Sequence, residues 1–113
     1  LVIPEDTKVR LLLTAADVIH AWWVPEFGMK KDAIPGFVNE MWVKVNAGKA
    51  GIYRGQCAEL CGRDHAFMPI VVEVKTREDF AAWLKEQQQP DQEPAPEAAP
   101  DATEAAQTEQ TPA

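Results

Sequence analysis

Short runs rich in apolar residues recur along the chain as far as about residue 75, and the run from Met41 to Val45 alternates as a half-buried strand does. Such alternation, enriched in β-branched and aromatic residues, is typical of strands that bury one face. Turn residues interrupt the runs at Pro35-Gly36, at Asn46-Ala47-Gly48 and at Gly62. The pattern predicts five strands, at residues 9–14, 18–24, 41–45, 52–57 and 70–74.

A short helix is predicted after the last strand. Thr76, followed by Asp79 at the third position, resembles a capping box, and Pro90 would end the helix at the latest. The apolar residues that share one helical face are Phe80, Trp83 and Leu84. The predicted fold class is therefore all-β, an antiparallel sandwich or barrel with one short C-terminal helix.

The composition changes at residue 87. From there the chain consists mainly of Gln, Pro, Glu, Ala and Thr, with five prolines and no aromatic or branched aliphatic residue. Such a segment buries too little apolar surface to offset the entropy lost on ordering. The sequence thus predicts one domain at 1–86 and a disordered acidic tail at 87–113.

Most of the formal net charge of −7 belongs to this tail. Residues 1–86 contain twelve acidic and eleven basic residues, whereas the tail contains six acidic residues and no Lys or Arg. Because no basic stripe is present, nucleic acid is not an expected partner. No run approaches the roughly 20 apolar residues that a membrane-spanning helix needs. The abrupt start at Leu1, without a signal sequence, suggests a piece of a longer chain.

Residues with metal-binding chemistry are concentrated in one twelve-residue segment, Cys57-Ala-Glu-Leu-Cys61-Gly-Arg-Asp-His65-Ala-Phe-Met68. Two thiols, an imidazole and a thioether form a soft ligand set that suits copper. The only other histidine, His20, lies far upstream, and a distant histidine joined to such a loop is how mononuclear blue-copper sites are assembled. The second cysteine exceeds the needs of a single copper ion.

Two copper ions would account for every donor. If both thiolates bridge the ions, each ion takes one histidine, and Met68 is a weak ligand to one of them. The other ion can take a backbone carbonyl between the cysteines, at Glu59. Two alternatives remain at this point, a Cys57–Cys61 disulfide and a Cys₂His₂ zinc site. The disulfide would close a very short loop and leave His65 and Met68 unexplained, and zinc would leave Met68 unused.

Three segments of the chain resemble cytochrome c oxidase subunit II, in its soluble Cu-A domain. They are Asp17-Val-Ile-His20-Ala-Trp22, Lys31-Asp32-Ala-Ile-Pro35-Gly36 and Gly55-Gln-Cys57-Ala-Glu59-Leu-Cys61-Gly62-Arg-Asp-His65-Ala-Phe-Met68-Pro69. The resemblance covers about residues 2–85, and its third segment is highly specific.

This resemblance implies a cupredoxin-like Greek-key β-barrel or sandwich that holds the dinuclear copper centre called Cu-A. It also implies an electron-transfer subunit of a haem-copper oxidase, which accepts electrons from cytochrome c and passes them to the haem of subunit I for oxygen reduction. By motif, His20 and Met68 would bind one copper and His65 and the Glu59 carbonyl the other, with both cysteines bridging.

Further expectations follow from the same resemblance. The Glu59 carboxylate would help bind a magnesium ion shared with subunit I. The domain would lie on the periplasmic side of the bacterial inner membrane, or on the equivalent intermembrane-space side. In the full-length form it would be anchored by two N-terminal transmembrane helices, which this fragment lacks together with the aromatic-rich segment through which electrons arrive. Phe37 departs from the family, where many relatives carry a basic residue.

Other classes of protein fit the residues less well. Nitrous oxide reductase has a similar dicopper domain, but its loop lacks the counterparts of Glu59 and Gly62. Thioredoxin-like copper chaperones follow the second cysteine with proline, and quinol oxidase subunit II generally lacks these ligands. A purely structural secreted domain would be colourless and indifferent to copper.

Overall fold

The computed structural model describes residues 1–89, and in this range the chain forms seven strands and one helix. The strands are β1 (Val2–Pro4), β2 (Val9–Leu13), β3 (His20–Val24), β4 (Met29–Ala33), β5 (Asn39–Val43), β6 (Gly51–Gln56) and β7 (Pro69–Lys75). The helix is α1 (Arg77–Gln88), and short 3₁₀ turns occupy Pro25–Phe27 and His65–Phe67.

The strands pair in three ladders. β7 lies between β1, to which it is parallel, and β6, to which it is antiparallel. β2 pairs with β5 and β3 with β4, both antiparallel. The all-β prediction is confirmed, and within residues 1–89 the ladders form an open sandwich and do not close into a barrel.

The core lies between these ladders and explains the alternation in the sequence. Leu11 of β2 and Met41 of β5 point inward opposite Val72 and Val74 of β7, and Val24 of β3 is fully buried. Burying an aliphatic side chain of this size stabilises the fold by about 1.5–3 kcal/mol. The predicted inward positions therefore hold the three ladders together.

Five strands lie where the sequence predicted them, with ends shifted by one or two residues, but β1 and β4 were not predicted. The polar run Met-Lys-Lys-Asp-Ala gives β4 no alternation. It becomes a strand because the 3₁₀ turn at Pro25–Phe27 ends on Gly28, whose φ of 68° lets the chain reverse and pair with β3. β1 contains only three residues and is held by its pairing to β7.

The helix begins as predicted, since the side chain of Thr76 accepts a hydrogen bond from the backbone N–H of Asp79. It continues to Gln88, two residues beyond the expected domain boundary at residue 86. Most of the predicted tail, residues 90–113, lies outside the described residues. Among residues 1–89, no helix has the length and apolar character needed to cross a bilayer.

Candidate metal centre

The loop that carries the predicted ligands is closed at its base by a strand pair. Gln56, the last residue of β6, lies opposite Pro69, the first residue of β7. The segment 57–68 therefore leaves the sheet and returns to it at the same point. Within it, Gly62 has a φ of 123°, which few residues other than glycine adopt, and a 3₁₀ turn follows at His65–Phe67.

A close approach between β3 and β6 brings His20 to this loop. The N–H of Ala58 donates a hydrogen bond to the carbonyl of Ala21 at 3.0 Å. At Gly55, a Cβ atom would lie only 2.1 Å from the carbonyl oxygen of Trp23, so any side chain there would force the strands apart. This contact fixes the start of β3, where His20 lies, beside Cys57.

Two sulfur atoms form the centre of the cluster. The Sγ atoms of Cys57 and Cys61 are 3.9 Å apart. The Nδ1 atom of His20 lies 3.9 Å from the Cys57 sulfur, and the Nδ1 atom of His65 lies 3.4 Å from the Cys61 sulfur. Each thiol therefore has one imidazole nitrogen facing it.

The weaker donors lie beside the same sulfurs. The carbonyl oxygen of Glu59 lies 3.2 Å from the Cys57 Sγ, and the Met68 Sδ lies 3.4 Å from the Cys61 Sγ. The structure thus brings together all six residues singled out from the sequence. The side chain of Glu59, by contrast, belongs to an exposed residue.

The environment of the two thiols makes them unequal acids. Burial alone would raise the pKa of Cys57, but hydrogen bonds with the backbone of Ala21 and Glu59, and with the two imidazoles, outweigh it and lower that pKa to about 6. Burial, and then the neighbouring Cys57, raise the pKa of Cys61. At neutral pH the site therefore holds one thiolate, which is the ligand form of cysteine.

The donor set fits copper. Thiolate sulfur, thioether sulfur and imidazole nitrogen are soft or intermediate ligands, and three of them, from His20, Cys57 and Cys61, lie within 4.8 Å of one another. Both cysteines are free thiols in the structure, unlike in the disulfide alternative. A positive ion would also relieve the repulsion that raises the pKa of Cys61.

One contact at the centre was not predicted from the sequence. The Nε2 atom of His20, on the far side of the ring from Cys57, lies 2.8 Å from the Oδ1 atom of Asp17. This hydrogen bond lowers the pKa of Asp17, and together with Cys57 it raises the pKa of His20. The sequence signal was an acid three residues before the histidine. The role of Gly55 was missed as well, because it depends on contact with a distant strand.

Two large apolar side chains of the loop are exposed. Leu60, between the two cysteines, is 81% exposed, and Phe67, between His65 and Met68, is 80% exposed. Two exposed apolar side chains this large in one loop favour a surface that a partner covers.

Comparisons with known proteins agree with this geometry. Residues 1–75 match the family model described as cytochrome C oxidase subunit II, periplasmic domain. A probable cytochrome c oxidase subunit 2 from Rickettsia prowazekii (strain Madrid E) is 56% identical over 84 residues, which are 74% of this chain and 26% of that protein. The chain therefore spans about a quarter of the length of this curated relative.

Two solved structures are similar in fold. The periplasmic domain of subunit II of cytochrome oxidase (CoxB) from Bradyrhizobium japonicum has a TM-score of 0.70 and 50% identity, over 75% of this chain and 60% of that one. A subunit of a heme-copper terminal oxidase dimer has a TM-score of 0.59 and 32% identity, over 66% of this chain and 49% of that one. The first likeness confirms the predicted cupredoxin-like fold.

Proposed function

Since the chain belongs to the cytochrome c oxidase subunit II family, in its periplasmic domain, we propose that it is an electron-transfer domain built around a dinuclear copper centre. The observation that carries the proposal is the pair of cysteine sulfurs 3.9 Å apart, each faced by the Nδ1 atom of a different histidine. One metal ion would not require two thiolates, two imidazoles and a thioether.

The six residues divide into bridging and terminal ligands in this proposal. Cys57 and Cys61 would hold both ions. His20 and Met68 would serve one copper, and His65 and the backbone carbonyl of Glu59 would serve the other. The carbonyl of Glu59 lies 3.2 Å from the Cys57 sulfur, and the thioether of Met68 lies 3.4 Å from the Cys61 sulfur. These short distances support the inclusion of both groups as weak ligands.

When bound, such a copper pair would supply a site that accepts and gives up one electron with little reorganisation. The chain contributes rigidity and shielding. The β6–β7 pairing fixes both ends of the loop, and Cys57 is only 5% exposed, which limits the access of water to the sulfur. The lowered pKa of Cys57 keeps a thiolate ready for the metal.

The partners in this function are cytochrome c and subunit I. Electrons arrive from cytochrome c and leave to the haem of subunit I, where oxygen is reduced, so the domain is one part of a proton-pumping oxidoreductase. The exposed side chains of Leu60 and Phe67 support a contact between the metal loop and another oxidase subunit. The Glu59 carboxylate, in this loop, is the proposed ligand of a magnesium ion shared with subunit I.

The proposed location is the periplasmic side of the bacterial inner membrane, or the equivalent intermembrane-space side, with the full-length subunit anchored by helices outside this chain. The match to a periplasmic-domain family supports this location. Two neighbouring cysteines at an oxidising location usually form a disulfide, and metal ligation explains why these two are free thiols.

Rapid mixing with reduced cytochrome c tests this function. The copper-loaded full chain should accept electrons in step with loss of its own copper absorption, and the copper-free chain should not. Ascorbate is the second donor, because a small reductant does not need the aromatic-rich segment expected to receive electrons from cytochrome c. The function is contradicted if the copper-loaded chain accepts electrons from neither donor.

A further inference from the structure

The carboxylate of Asp17 lies against the outer nitrogen of a proposed copper ligand. Its Oδ1 atom is 2.8 Å from the Nε2 atom of His20, at the end of the bend that leads into β3. The Asp17 side chain is 69% exposed, whereas the His20 side chain is 20% exposed. An exposed acid is thus in direct contact with a mostly buried imidazole.

The chemistry of this contact fixes the proton on the imidazole. An ionised carboxylate only accepts hydrogen bonds, so the Nε2 atom must carry a hydrogen. In the neutral ring the lone pair is then on Nδ1, the nitrogen that faces the Cys57 sulfur. Without the carboxylate, the Cys57 thiolate would still accept a hydrogen bond from Nδ1, and a proton on Nδ1 would remove the lone pair that faces the site.

The second histidine lacks this arrangement. His65 faces Cys61 through its own Nδ1 atom, but no carboxylate among residues 1–89 forms an ion pair with its ring. The two imidazoles of the site therefore differ, and His65 is an internal reference for any measurement on His20.

We propose that Asp17 is a positioning residue. Its carboxylate holds His20 in the tautomer that offers Nδ1 to copper, and its negative charge lowers the electron affinity of the centre. This inference rests on the proposed dinuclear copper function. Carboxylates that orient metal-binding histidines raise the basicity of the ligand and affect both metal affinity and potential. A negative charge near the site also favours the more positive, oxidised state.

Nitrogen NMR of the copper-free, reduced full chain tests the tautomer without any metal. At a pH where both histidines are neutral, His20 of the wild type should carry its proton on Nε2. Asp17→Ala should shift His20 toward the Nδ1–H form, in which Nδ1 donates to the Cys57 sulfur. Asp17→Asn should fall between this variant and the wild type, because an amide can accept a hydrogen bond from Nε2–H or donate one to a bare Nε2. The signals of His65 should be the same in all three proteins. The proposal is overturned if His20 of Asp17→Ala remains wholly in the Nε2–H form.

Redox titration of the copper-loaded full chain tests the charge. Asp17→Asn and Asp17→Ala should both raise the midpoint potential, and a tenfold shift in the ratio of reduced to oxidised protein corresponds to 59 mV for one electron. Asp17→Ala should also weaken copper binding by about 10–100-fold, with part of the affinity rescued in Asp17→Asn. The control is Asp64→Asn. It removes one negative charge next to His65 in sequence, at a carboxylate that faces Arg63 and forms no ion pair with either imidazole within residues 1–89, and it should shift the potential less.

The outcomes separate this inference from the function on which it rests. Wild-type protein that binds two coppers, with an Asp17→Asn potential no higher than that of Asp64→Asn, overturns the role of Asp17 alone. Wild-type protein that binds fewer than two coppers overturns the dinuclear centre and this inference with it.

Discussion

The two cysteines of the metal loop differ in acidity although their sulfur atoms are neighbours. Hydrogen bonds from the backbone of β3 and of the loop favour the Cys57 thiolate, whereas burial and that thiolate oppose the ionisation of Cys61. Copper binding must therefore release the Cys61 proton, and the positive charge of the ions favours this step. Loss of Cys57 would therefore remove the thiolate that is present before the metal binds.

Replacing Cys57 by serine should abolish the dinuclear centre, because a hydroxyl group does not form a bridging thiolate. Copper analysis and the visible spectrum of Cys57→Ser should show loss of the shared-electron chromophore, while Ala58→Ser, which alters the next residue without removing a sulfur, should keep it. Retention of the wild-type purple spectrum in Cys57→Ser would show that this sulfur does not bridge.

Met68→Leu should keep two coppers and raise the midpoint potential, because leucine fills nearly the same volume but removes a weak donor to the oxidised ion. Redox titration and copper analysis measure the two effects. Met41→Leu is the matched control, since Met41 belongs to the buried core and has no proposed donor role. Equal potentials for Met68→Leu and the wild type would exclude the thioether from the ligand set.

At the scale of elements, alternation predicted the strands that bury one face and failed for those held by pairing alone. The inward positions Met41, Val43 and Val45 follow directly from the sequence, although Val45 is buried just beyond the end of β5. β4 was not predicted because Lys30 and Lys31 make its sequence polar. Lys30 lies on its outer face, with its Nζ atom 4.6 Å from the centre of the Trp23 ring. Such strands depend on turn geometry and on neighbours distant in sequence.

The contact between β3 and β6 leads to a prediction at Gly55. Gly55→Ala should destabilise the protein by at least about 2 kcal/mol, because a methyl group overlapping a backbone carbonyl cannot be accommodated by side-chain rotation. It should also lower copper affinity, since His20 and Cys57 would move apart. Urea unfolding and copper titration measure both effects.

Gly48→Asn is the control for this change. Nothing lies within 4 Å of a Cβ atom at Gly48, and asparagine tolerates its φ of 79° better than most residues. We expect a cost of less than about 1 kcal/mol there. Equal stability and equal copper affinity of Gly55→Ala and the wild type would contradict the proposed role of the close approach.

At the scale of the whole molecule, Asp6 connects three parts of the fold. Its carboxylate lies 3.1 Å from the Nζ atom of Lys44, next to β5, and 3.6 Å from the guanidinium of Arg77, at the start of α1. The hydrogen bond and charge of Lys44 hold the pKa of Asp6 below its ordinary value, with a smaller contribution from Arg77. Because the folded pKa is depressed, this stabilisation is present above the unfolded pKa and is lost as the pH falls through the folded pKa.

Asp6→Asn should therefore reduce stability at neutral pH and have little effect in strong acid. Asparagine also tolerates the backbone φ of 47° at this position, so the change tests mainly the charge. Urea midpoints of the copper-free full chain, measured from about pH 7 to about pH 2, should converge with those of the wild type below about pH 4. Glu26→Gln, at an acid without an ion pair in the described part of the chain, should show no such convergence. A constant difference between Asp6→Asn and the wild type at every pH would contradict the ion-pair account.

The candidate site could be predicted from the sequence further than the fold could. Ligand chemistry is a property of residue type, so Cys57, Cys61, His65 and Met68 were recognisable from one short segment. His20 could be added because the chain has only two histidines. The sequence could not show which imidazole nitrogen faces which sulfur, because that depends on how β3 meets the loop. It also could not show that Asp17 holds His20, because that depends on the bend at residues 16–18.

The central claim is a dinuclear copper centre, and electron paramagnetic resonance of the copper-loaded full chain, with the copper content of the same sample, tests it most directly. The account predicts two coppers per chain and one unpaired electron shared equally by two copper nuclei. One copper per chain, with hyperfine structure from a single nucleus, or no copper in the reduced, folded protein, would contradict it.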